Sequence, residues 1–337
     1  MADLFKININ LMLKKKFKVI FLGSDEIAIP SLNFLHNDCK GTDVCAVLTQ
    51  PDRRVGRGRK VKPNSIKLWA VDNDISHASP EIPDIETYEW LKEFKADLIL
   101  VMAYGHILKE SFLDLSSFGC FNLHASILPS YRGASPIETA IAMGDELTGV
   151  TLMKVFPKMD AGPILDIERV IIDKSDTGLY LRNKISLACV PLLERNIRSF
   201  AEADKNLIPQ NEKMVSYCRK LTKEDGNLDF FSSASHLADR IRAFQSWPGS
   251  NFKIGNEKIR IGNAKVIANN LSLKEGETTK DEKGNLLIGT SEGILIPKSM
   301  QRPGGKMLDS LDFLRGFDFP FGSTLISSKM KDLLVQK

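Results

Sequence analysis

The amino-acid sequence predicts an α/β fold: a Rossmann-like, doubly wound and mostly parallel sheet, followed by a small β-barrel domain. Two observations support this prediction. Up to residue 203, short apolar segments alternate with segments of helical apolar spacing, as in a parallel sheet covered by helices. From residue 217 onwards, short strand-like segments are separated by closely spaced turn signals, which is typical of small barrels.

The elements of the first domain follow from apolar spacing. Strands are predicted at residues 18–22 (KVIFL), 44–48, 97–103, 120–123 and 149–155 (GVTLMKV). Helices are predicted at residues 27–35, 66–71, 87–94, 135–143 and 177–203. In such a sheet, ligands bind beyond the carboxyl ends of the strands.

The second domain is predicted from its turn signals, which run from Asn227-Leu228 to Gly304-Gly305, with one helix at residues 233–244. A polar run at residues 204–213 indicates a linker. The chain is therefore divided into a tail (1–17), a catalytic domain (18–203), a linker (204–215) and a second domain (216–337).

Composition indicates a soluble globular protein, with 337 residues, 43% hydrophobic and 26% charged. The longest apolar run, residues 98–104, suits a buried strand and is too short for a membrane span. The five cysteines form no CxxC pair, which predicts a reduced, cytoplasmic protein without structural zinc. Residues 1–16 lack a small-residue cleavage site, so they are interpreted as a loosely attached tail and not as a signal peptide. The alternative is an organellar transit peptide, against which Asp3 and the lack of arginine argue. The net charge of +4 does not by itself indicate a nucleic-acid partner.

A polar trio marks the candidate active site. Asn122 and His124 are two residues apart in a predicted strand and would share one face, ahead of a turn at Leu128-Pro129. Asp160 follows the next strand, in the sequence MDAG. The alternative is that the three are unconnected polar groups at strand ends. The alternation of apolar and polar residues at 121–124 and the turn-forming Pro129 favour an active site.

The sequence lacks the motifs of several other kinds of binding and catalytic site. The turn after the first strand, FLGSDEIAIP, has one glycine where a dinucleotide fingerprint needs three, so NAD is not expected. No GxxxxGK[ST] segment occurs, and no GxSxG nucleophile elbow, a serine on a sharp turn from a strand into a helix, is found. Only one of the five histidines lies in the trio, so a metal is not expected. The remaining histidines are interpreted as ordinary residues: His36, His77, His106 and His236.

Residues 51–62 (PDRRVGRGRKVK) form a basic segment. Its basic residues are Arg53, Arg54, Arg57, Arg59, Lys60 and Lys62. The alternative is a solvated surface loop. We favour an arm that binds phosphates, because guanidinium groups bind phosphate with paired hydrogen bonds. In the second domain, residues 247–249 (WPG) and 301–307 (QRPGGKM) are interpreted first as turns, although Lys306 could reach a polyanion.

The chain resembles the methionyl-tRNA formyltransferase family from about Lys18 to its end. The resemblance rests on an ordered set of motifs: FLGSDEIAIPSL, LTQPDRRVGRGRKVKPNSIK, AYG, FNLHASILPSYRGASPIETA, GDELTGVTLM, MDAGPIL, KLTKEDGNLDF, IRAFQSWPG and QRPGGKM. It implies a barrel of the oligonucleotide-binding (OB) type in the second domain. It also implies 10-formyltetrahydrofolate as formyl donor and the amine of initiator methionyl-tRNA as acceptor.

The resemblance also assigns roles by position. The catalytic set falls on Asn122, His124 and Asp160. Folate contacts fall on Ser126, Ile127, Leu128 and Pro129. The tRNA-inserting loop falls on residues 53–62, with Arg53 the strongest candidate for contact with the acceptor end. Two residues depart from the pattern, since Arg54 replaces a usual proline and Ala125 a frequent glycine.

The expected mechanism is direct transfer through a tetrahedral oxyanion. His124, aided by Asn122, donates hydrogen bonds to that oxyanion, and Asp160 orients His124 and accepts the proton of the attacking amine. A monomer is expected. The rival interpretations are a sugar-nucleotide N-formyltransferase, a formyltetrahydrofolate hydrolase and a non-catalytic RNA-binding protein.

Overall fold

A computed structural model describes residues 16–55, 60–197 and 199–336. Most of the predicted tail, and Arg57 and Arg59 of the basic segment, lie outside the described residues. The chain divides into two compact units. The first combines Met1–Arg132, Gly149–Val170 and Asn183–Val215, and the second Gly133–Thr148, Ile171–Arg182 and Ser216–Lys337. Within the described ranges, no helix is both long enough and apolar enough to cross a membrane.

The strands, in chain order, are β1 (Phe17–Gly23), β2 (Thr42–Leu48), β3 (Arg53–Val55), β4 (Lys60–Lys62), β5 (His77–Ala78), β6 (Leu98–Met102), β7 (Cys120–His124), β8 (Arg132–Gly133), β9 (Leu147–Lys154), β10 (Ile164–Ile171), β11 (Tyr217–Cys218), β12 (Ser250–Ile254), β13 (Glu257–Ile267), β14 (Thr278–Lys280), β15 (Leu286–Gly289), β16 (Ile294–Gln301), β17 (Leu308–Asp309) and β18 (Leu334–Val335). The α-helices are α1 (Ile29–Asn33), α2 (Ser65–Asp72), α3 (Ile85–Glu93), α4 (Glu110–Leu113), α5 (Pro136–Ala142), α6 (Gly178–Asn196), α7 (Ala203–Asn206), α8 (Ala234–Ala243) and α9 (Ser310–Arg315).

The main sheet of the first unit has the strand order β10-β9-β7-β6-β1-β2-β5. Strands β5, β2, β1, β6 and β7 pair in parallel, and β9 runs antiparallel to β7. The order reverses at β1, as in doubly wound sheets. The predicted Rossmann-like, mostly parallel sheet is confirmed.

Apolar runs in the sequence mark the central strands because those strands are buried on both faces. In β1, Val19, Ile20 and Phe21 have no exposed surface. The end strand β10 was not predicted from the sequence. Its sequence, ILDIERVI, places Asp166, Glu168 and Arg169 among the apolar residues, a composition that suits the edge of a sheet.

The second unit is built on an antiparallel sheet with the strand order β12-β13-β16-β15-β14, and β17 pairs with β16. The register of β13 shifts on both sides of Asn263, and such irregularities bend a strand. Helix α8 buries Leu237 and Ile241, four residues apart on one face, in the same core as Ile259 and Ile261 of β13. This curled sheet agrees with the predicted barrel-like second domain.

A buried ion pair stabilises the start of the second unit. Asp225 is 1% exposed, and its Oδ2 accepts hydrogen bonds from Arg219 Nη1 at 2.8 Å and from the Thr222 amide at 2.6 Å. Burial alone would raise the pKa of Asp225, but the hydrogen bonds from Arg219 and Thr222 outweigh it and hold that pKa below its usual 3.8. A carboxyl with a lowered pKa stabilises the folded state above pH 3.8, and this stabilisation is lost as the pH falls through the folded-state pKa.

We therefore expect Asp225→Asn to destabilise the protein at pH 7 by about 3 kcal/mol, the lower end of the effect of removing one partner from a buried pair. Urea unfolding at pH 7 and at pH 3 measures the effect. The difference in the free energy of unfolding between variant and wild type should be smaller at pH 3. Asp312→Asn, which breaks the exposed Arg315–Asp312 pair, is the control and should change stability by less than about 1 kcal/mol. A difference that is the same at both pH values would contradict the assignment.

Candidate active site

Strand β7 presents the candidate catalytic residues on one of its faces. Phe121 and Leu123 are buried, as the predicted alternation requires, and Phe121 packs edge-on against Phe200 with ring centroids 5.0 Å apart. Asn122 is half-buried and His124, the last residue of the strand, is 6% exposed. The two side chains therefore share the opposite face of β7, as predicted.

The ring of His124 is held by the backbone of the following loop. Its Nε2 lies 3.0 Å from the carbonyl oxygen of Tyr131, a residue in the left-handed region with φ 58°. A carbonyl oxygen can only accept a hydrogen bond, so Nε2 carries the proton and donates. The other ring nitrogen, Nδ1, faces Asp160.

Asp160 and His124 meet, as predicted. The distance from Asp160 Oδ1 to His124 Nδ1 is 3.7 Å, and both side chains are largely buried, with 18% and 7% exposed. This separation exceeds a hydrogen bond but suits an ion pair when the ring is protonated. A carboxylate oxygen of Asp160 and an imidazole nitrogen of His124 therefore lie side by side, where both can contact one bound group.

Asp160 reaches His124 through a loop, and not because the carboxyl ends of two neighbouring strands meet. Strand β9 is antiparallel to β7, so its carboxyl end, Lys154, lies beside Phe121 and not beside His124. The loop between β9 and β10 brings Asp160 back. Gly162 packs against Lys154 so closely that an added Cβ would lie 1.8 Å from the Lys154 carbonyl oxygen. The close approach that the loop makes at this point requires glycine.

The loop at residues 126–129, predicted to contact folate, has a defined conformation. The Thr151 hydroxyl donates to the Ser126 carbonyl at 2.6 Å and accepts from the Leu128 amide at 3.0 Å. Leu128 is buried against Met153 and Ile164, whereas Ile127 and Pro129 are half-buried. The peptide Leu128–Pro129 is cis. The folate contact itself stays a prediction.

The basic segment is partly a β-hairpin. Strands β3 and β4 pair in antiparallel fashion, with Arg53 opposite Lys62. The described basic residues of the segment are exposed: Arg53, Arg54, Lys60 and Lys62. Arg53 forms an ion pair with Glu81, with Nη2 3.1 Å from Oε2, and both side chains are more than half exposed. In the second unit, Lys306 is also exposed, in the turn before β17.

Three contact residues near the trio were missed by sequence reasoning: Tyr131, Arg132 and Gln210. Gln210 lies in the predicted linker, yet its Nε2 donates to the carbonyl oxygens of Asp160 at 2.8 Å and Gly162 at 2.7 Å. Nothing in the linear pattern marks Gln210. Arg132 could have been noticed because it directly follows the 126–131 loop in the YRG segment.

Among the described residues, no group of three or more His, Cys, Asp or Glu side chains could hold a metal ion. All five cysteines are free thiols.

Comparison with family models identifies both parts of the chain. Residues 15–193 match the formyl transferase family, and residues 220–318 match the formyl transferase C-terminal domain. The fold is similar to that of the N-formyltransferase from Helicobacter canadensis, solved with folinic acid and dTDP-3-aminofucose, with a TM-score of 0.62 at 20% identity over 86% of this chain and 100% of that one. HypX from Aquifex aeolicus, solved with tetrahydrofolic acid, gives a TM-score of 0.57 at 18% identity over 95% of this chain and 50% of that one.

Relatives in sequence include methionyl-tRNA formyltransferases. That of Janthinobacterium sp. is 35% identical over 89% of this chain and 97% of its own length. That of Francisella tularensis subsp. novicida is 37% identical over 90% of this chain and 96% of its own length. These matches confirm the resemblance predicted from the ordered motifs. The chain belongs to the methionyl-tRNA formyltransferase family.

Proposed function

We propose that Asn122, His124 and Asp160 form the site at which this chain transfers a formyl group from 10-formyltetrahydrofolate to the amino group of methionine on initiator methionyl-tRNA. The product is N-formylmethionyl-tRNA for translation initiation. The observation that supports this assignment most strongly is the His124–Asp160 pair, 3.7 Å apart. Membership of a formyltransferase family supplies the donor and the reaction class.

The geometry supports a direct transfer. The methionyl amine attacks the formyl carbon, and the carbonyl π electrons move onto its oxygen to give a tetrahedral oxyanion. Because Nε2–H of His124 donates to the carbonyl oxygen of Tyr131, the donor that can reach the oxyanion is Nδ1–H of the protonated ring. Asn122, on the same face of β7, supplies an amide donor. Losing one such donor typically raises the barrier by roughly 3–4 kcal/mol.

Asp160 has two roles in this scheme. Its carboxylate stabilises the charged imidazole of His124, and it accepts the proton that the attacking amine loses. When the intermediate collapses, the bond from carbon to folate N10 breaks and N10 takes up a proton from the pair. Protons therefore balance, and no covalent enzyme intermediate is needed.

The donor and the tRNA occupy surfaces that follow from the predicted roles. We assign the donor to the loop Ser126–Pro129, which begins two residues after His124. We assign phosphate contacts to the basic segment 53–62 and to Lys306, with 216–337 as the tRNA-binding domain. A cytoplasmic location and a monomer are part of this proposal, and light scattering of the purified protein tests the latter.

The first test of the function is an acceptor comparison. Purified protein is incubated with 10-formyltetrahydrofolate and either methionylated initiator tRNA, methionylated elongator tRNA, a dTDP-amino sugar or buffer. We expect formyl-methionine with initiator tRNA and little product with the other acceptors. Formylation of the sugar, or release of formate without acceptor, would instead favour the sugar-nucleotide transferase or the hydrolase.

Substitution Asp160→Asn tests the catalytic assignment. The amide retains the shape of the side chain but cannot accept the amine proton, so kcat should fall by about 10²- to 10⁴-fold. Binding of tRNA, measured by filter retention, should remain within about twofold. Asp204→Asn, which alters an exposed partner of Lys154, is the matched control. Wild-type turnover in Asp160→Asn would exclude Asp160 from the reaction.

Substitution Arg53→Ala tests the basic segment. Loss of one charge-assisted phosphate contact should raise KM for tRNA by about 10-fold or more, while KM for the folate is unchanged. The dependence of log KM on log salt should also become shallower by about one unit.

The matched variant is Glu81→Gln, which removes the partner that Arg53 must leave in order to bind phosphate. We expect it to lower KM for tRNA by about two- to fivefold, the scale of an exposed ion pair. Equal KM values for tRNA in wild type and Arg53→Ala would contradict the assignment.

A further inference from the structure

The side-chain amide of Gln210 is held by four hydrogen bonds. Its Nε2 donates to the carbonyl oxygens of Asp160 at 2.8 Å and Gly162 at 2.7 Å. Its Oε1 accepts from Arg132 Nε at 3.0 Å and Nη2 at 2.7 Å. Two donors and two lone pairs are all that an amide side chain offers. This orientation is therefore unique, because a flipped amide would oppose donor to donor and acceptor to acceptor.

Arg132 provides a rigid base for this amide. Its side chain is fully buried, and Nη2 also donates to Glu212 Oε1 at 2.7 Å. Glu212 Oε2 in turn accepts from Lys158 Nζ at 3.1 Å, in the same loop as Asp160. Hydrogen bonds from Arg132 and Lys158 hold the pKa of Glu212 below its usual range, so the carboxylate is charged at neutral pH and balances Arg132.

Neighbouring residues of one segment thus hold both members of the catalytic pair. The carbonyl of Tyr131 accepts from Nε2 of His124, and Arg132, the next residue, supports Gln210 against the backbone of Asp160. Asp160 itself is in the left-handed region, at φ 49°. A residue other than glycine keeps that conformation only when its surroundings hold it there.

We propose that Gln210, supported by Arg132, is a positioning residue for formyl transfer: it fixes the backbone of Asp160 and so sets the separation of Asp160 from His124. The inference rests on the proposed function, since it acts through the catalytic role of Asp160. Gln210 touches the backbone of the loop, and its effect on the reaction is carried by the Asp160 carboxylate.

The testing variant is Gln210→Glu. It keeps an oxygen for Arg132 to donate to, but it replaces the two N–H donors with an oxygen that faces the carbonyl oxygens of Asp160 and Gly162. The loop is then released while the Arg132 contact remains. We expect kcat to fall about 10- to 100-fold, the scale of a misplacement of about 1 Å, with KM for both substrates within about threefold. The melting temperature should stay within a few degrees of the wild type.

The matched control is Asn73→Asp, the same exchange of amide for carboxylate at an amide that donates to the Trp69 carbonyl at 2.8 Å, at the end of α2 and outside the assigned catalytic and binding residues. It should leave kcat unchanged. Gln210→Met, which keeps the length of the side chain without its polar atoms, is a second variant and should also lower kcat with little change in KM.

The double variant of Gln210→Glu and Asp160→Asn distinguishes positioning of Asp160 from a general structural effect of Gln210. If Gln210 acts through Asp160, the double variant Asp160→Asn/Gln210→Glu should turn over no more slowly than Asp160→Asn alone in single-turnover assays. An equal proportional loss in both backgrounds would overturn the proposal, as would loss of folding in both Gln210 variants.

Two results distinguish the proposals from each other. Wild-type kcat in Gln210→Glu, with Asp160→Asn inactive, would refute the positioning role alone. Wild-type kcat in Asp160→Asn would refute the catalytic assignment, and the role of Gln210 with it.

Discussion

The separation of His124 and Asp160 is the constraint on which the site depends. At 3.7 Å their side chains are too far apart to hold each other with a hydrogen bond, so each must be held from elsewhere. Strand β7 and the Tyr131 carbonyl hold His124, and the contacts of Gly162 and Gln210 hold the loop of Asp160. The pair is therefore preformed by the backbone, and donors that are already aimed require no reorganisation as charge develops.

A preformed pair suits a reaction in which one carbonyl carbon moves between two nitrogens. Both the attacking amine and the folate N10 are competent partners for that carbon, so the site has to stabilise one oxyanion and move one proton. A protein nucleophile is not required. Cys120 lies on β7 two residues before Asn122, but it is 2% exposed, and burial raises its pKa far above the usual range. It stays a thiol and acts as part of the core.

The sequence was informative where local pattern determines structure. The buried central strands appear as apolar runs, and the alternation at residues 121–124 placed Asn122 and His124 on one face of β7. Contacts between distant segments were harder to predict. The antiparallel direction of β9 follows from how the sheet is completed, and the edge position of β10 weakens its apolar pattern. Asp160 was therefore identified correctly as a partner of His124, but for a geometric reason that does not hold.

The contacts of Gln210 with the Asp160 loop could not be predicted from the local composition either. It lies in a polar stretch, and polar stretches between apolar segments are ordinarily linkers, so the domain boundary at 204–215 was the reasonable prediction. Yet Ile208 forms a β-bridge with Ile164, two residues before Gln210 reaches the Asp160 loop. A single bridge and one amide link this stretch to the site, and neither produces a periodic signal.

The buried guanidinium of Arg132 indicates what this arrangement favours. Taking a charge out of water is unfavourable by several kcal/mol, and buried ion pairs are often no more stable than well-packed apolar residues of similar volume. Stability alone would therefore be served equally well by an apolar side chain at position 132. Such a residue could not orient the Gln210 amide, because only a donor on that side requires Oε1 to face it and Nε2 to face the loop. Arg132 thus fixes one orientation of the amide, with Nε2 on the carbonyl oxygens of Asp160 and Gly162.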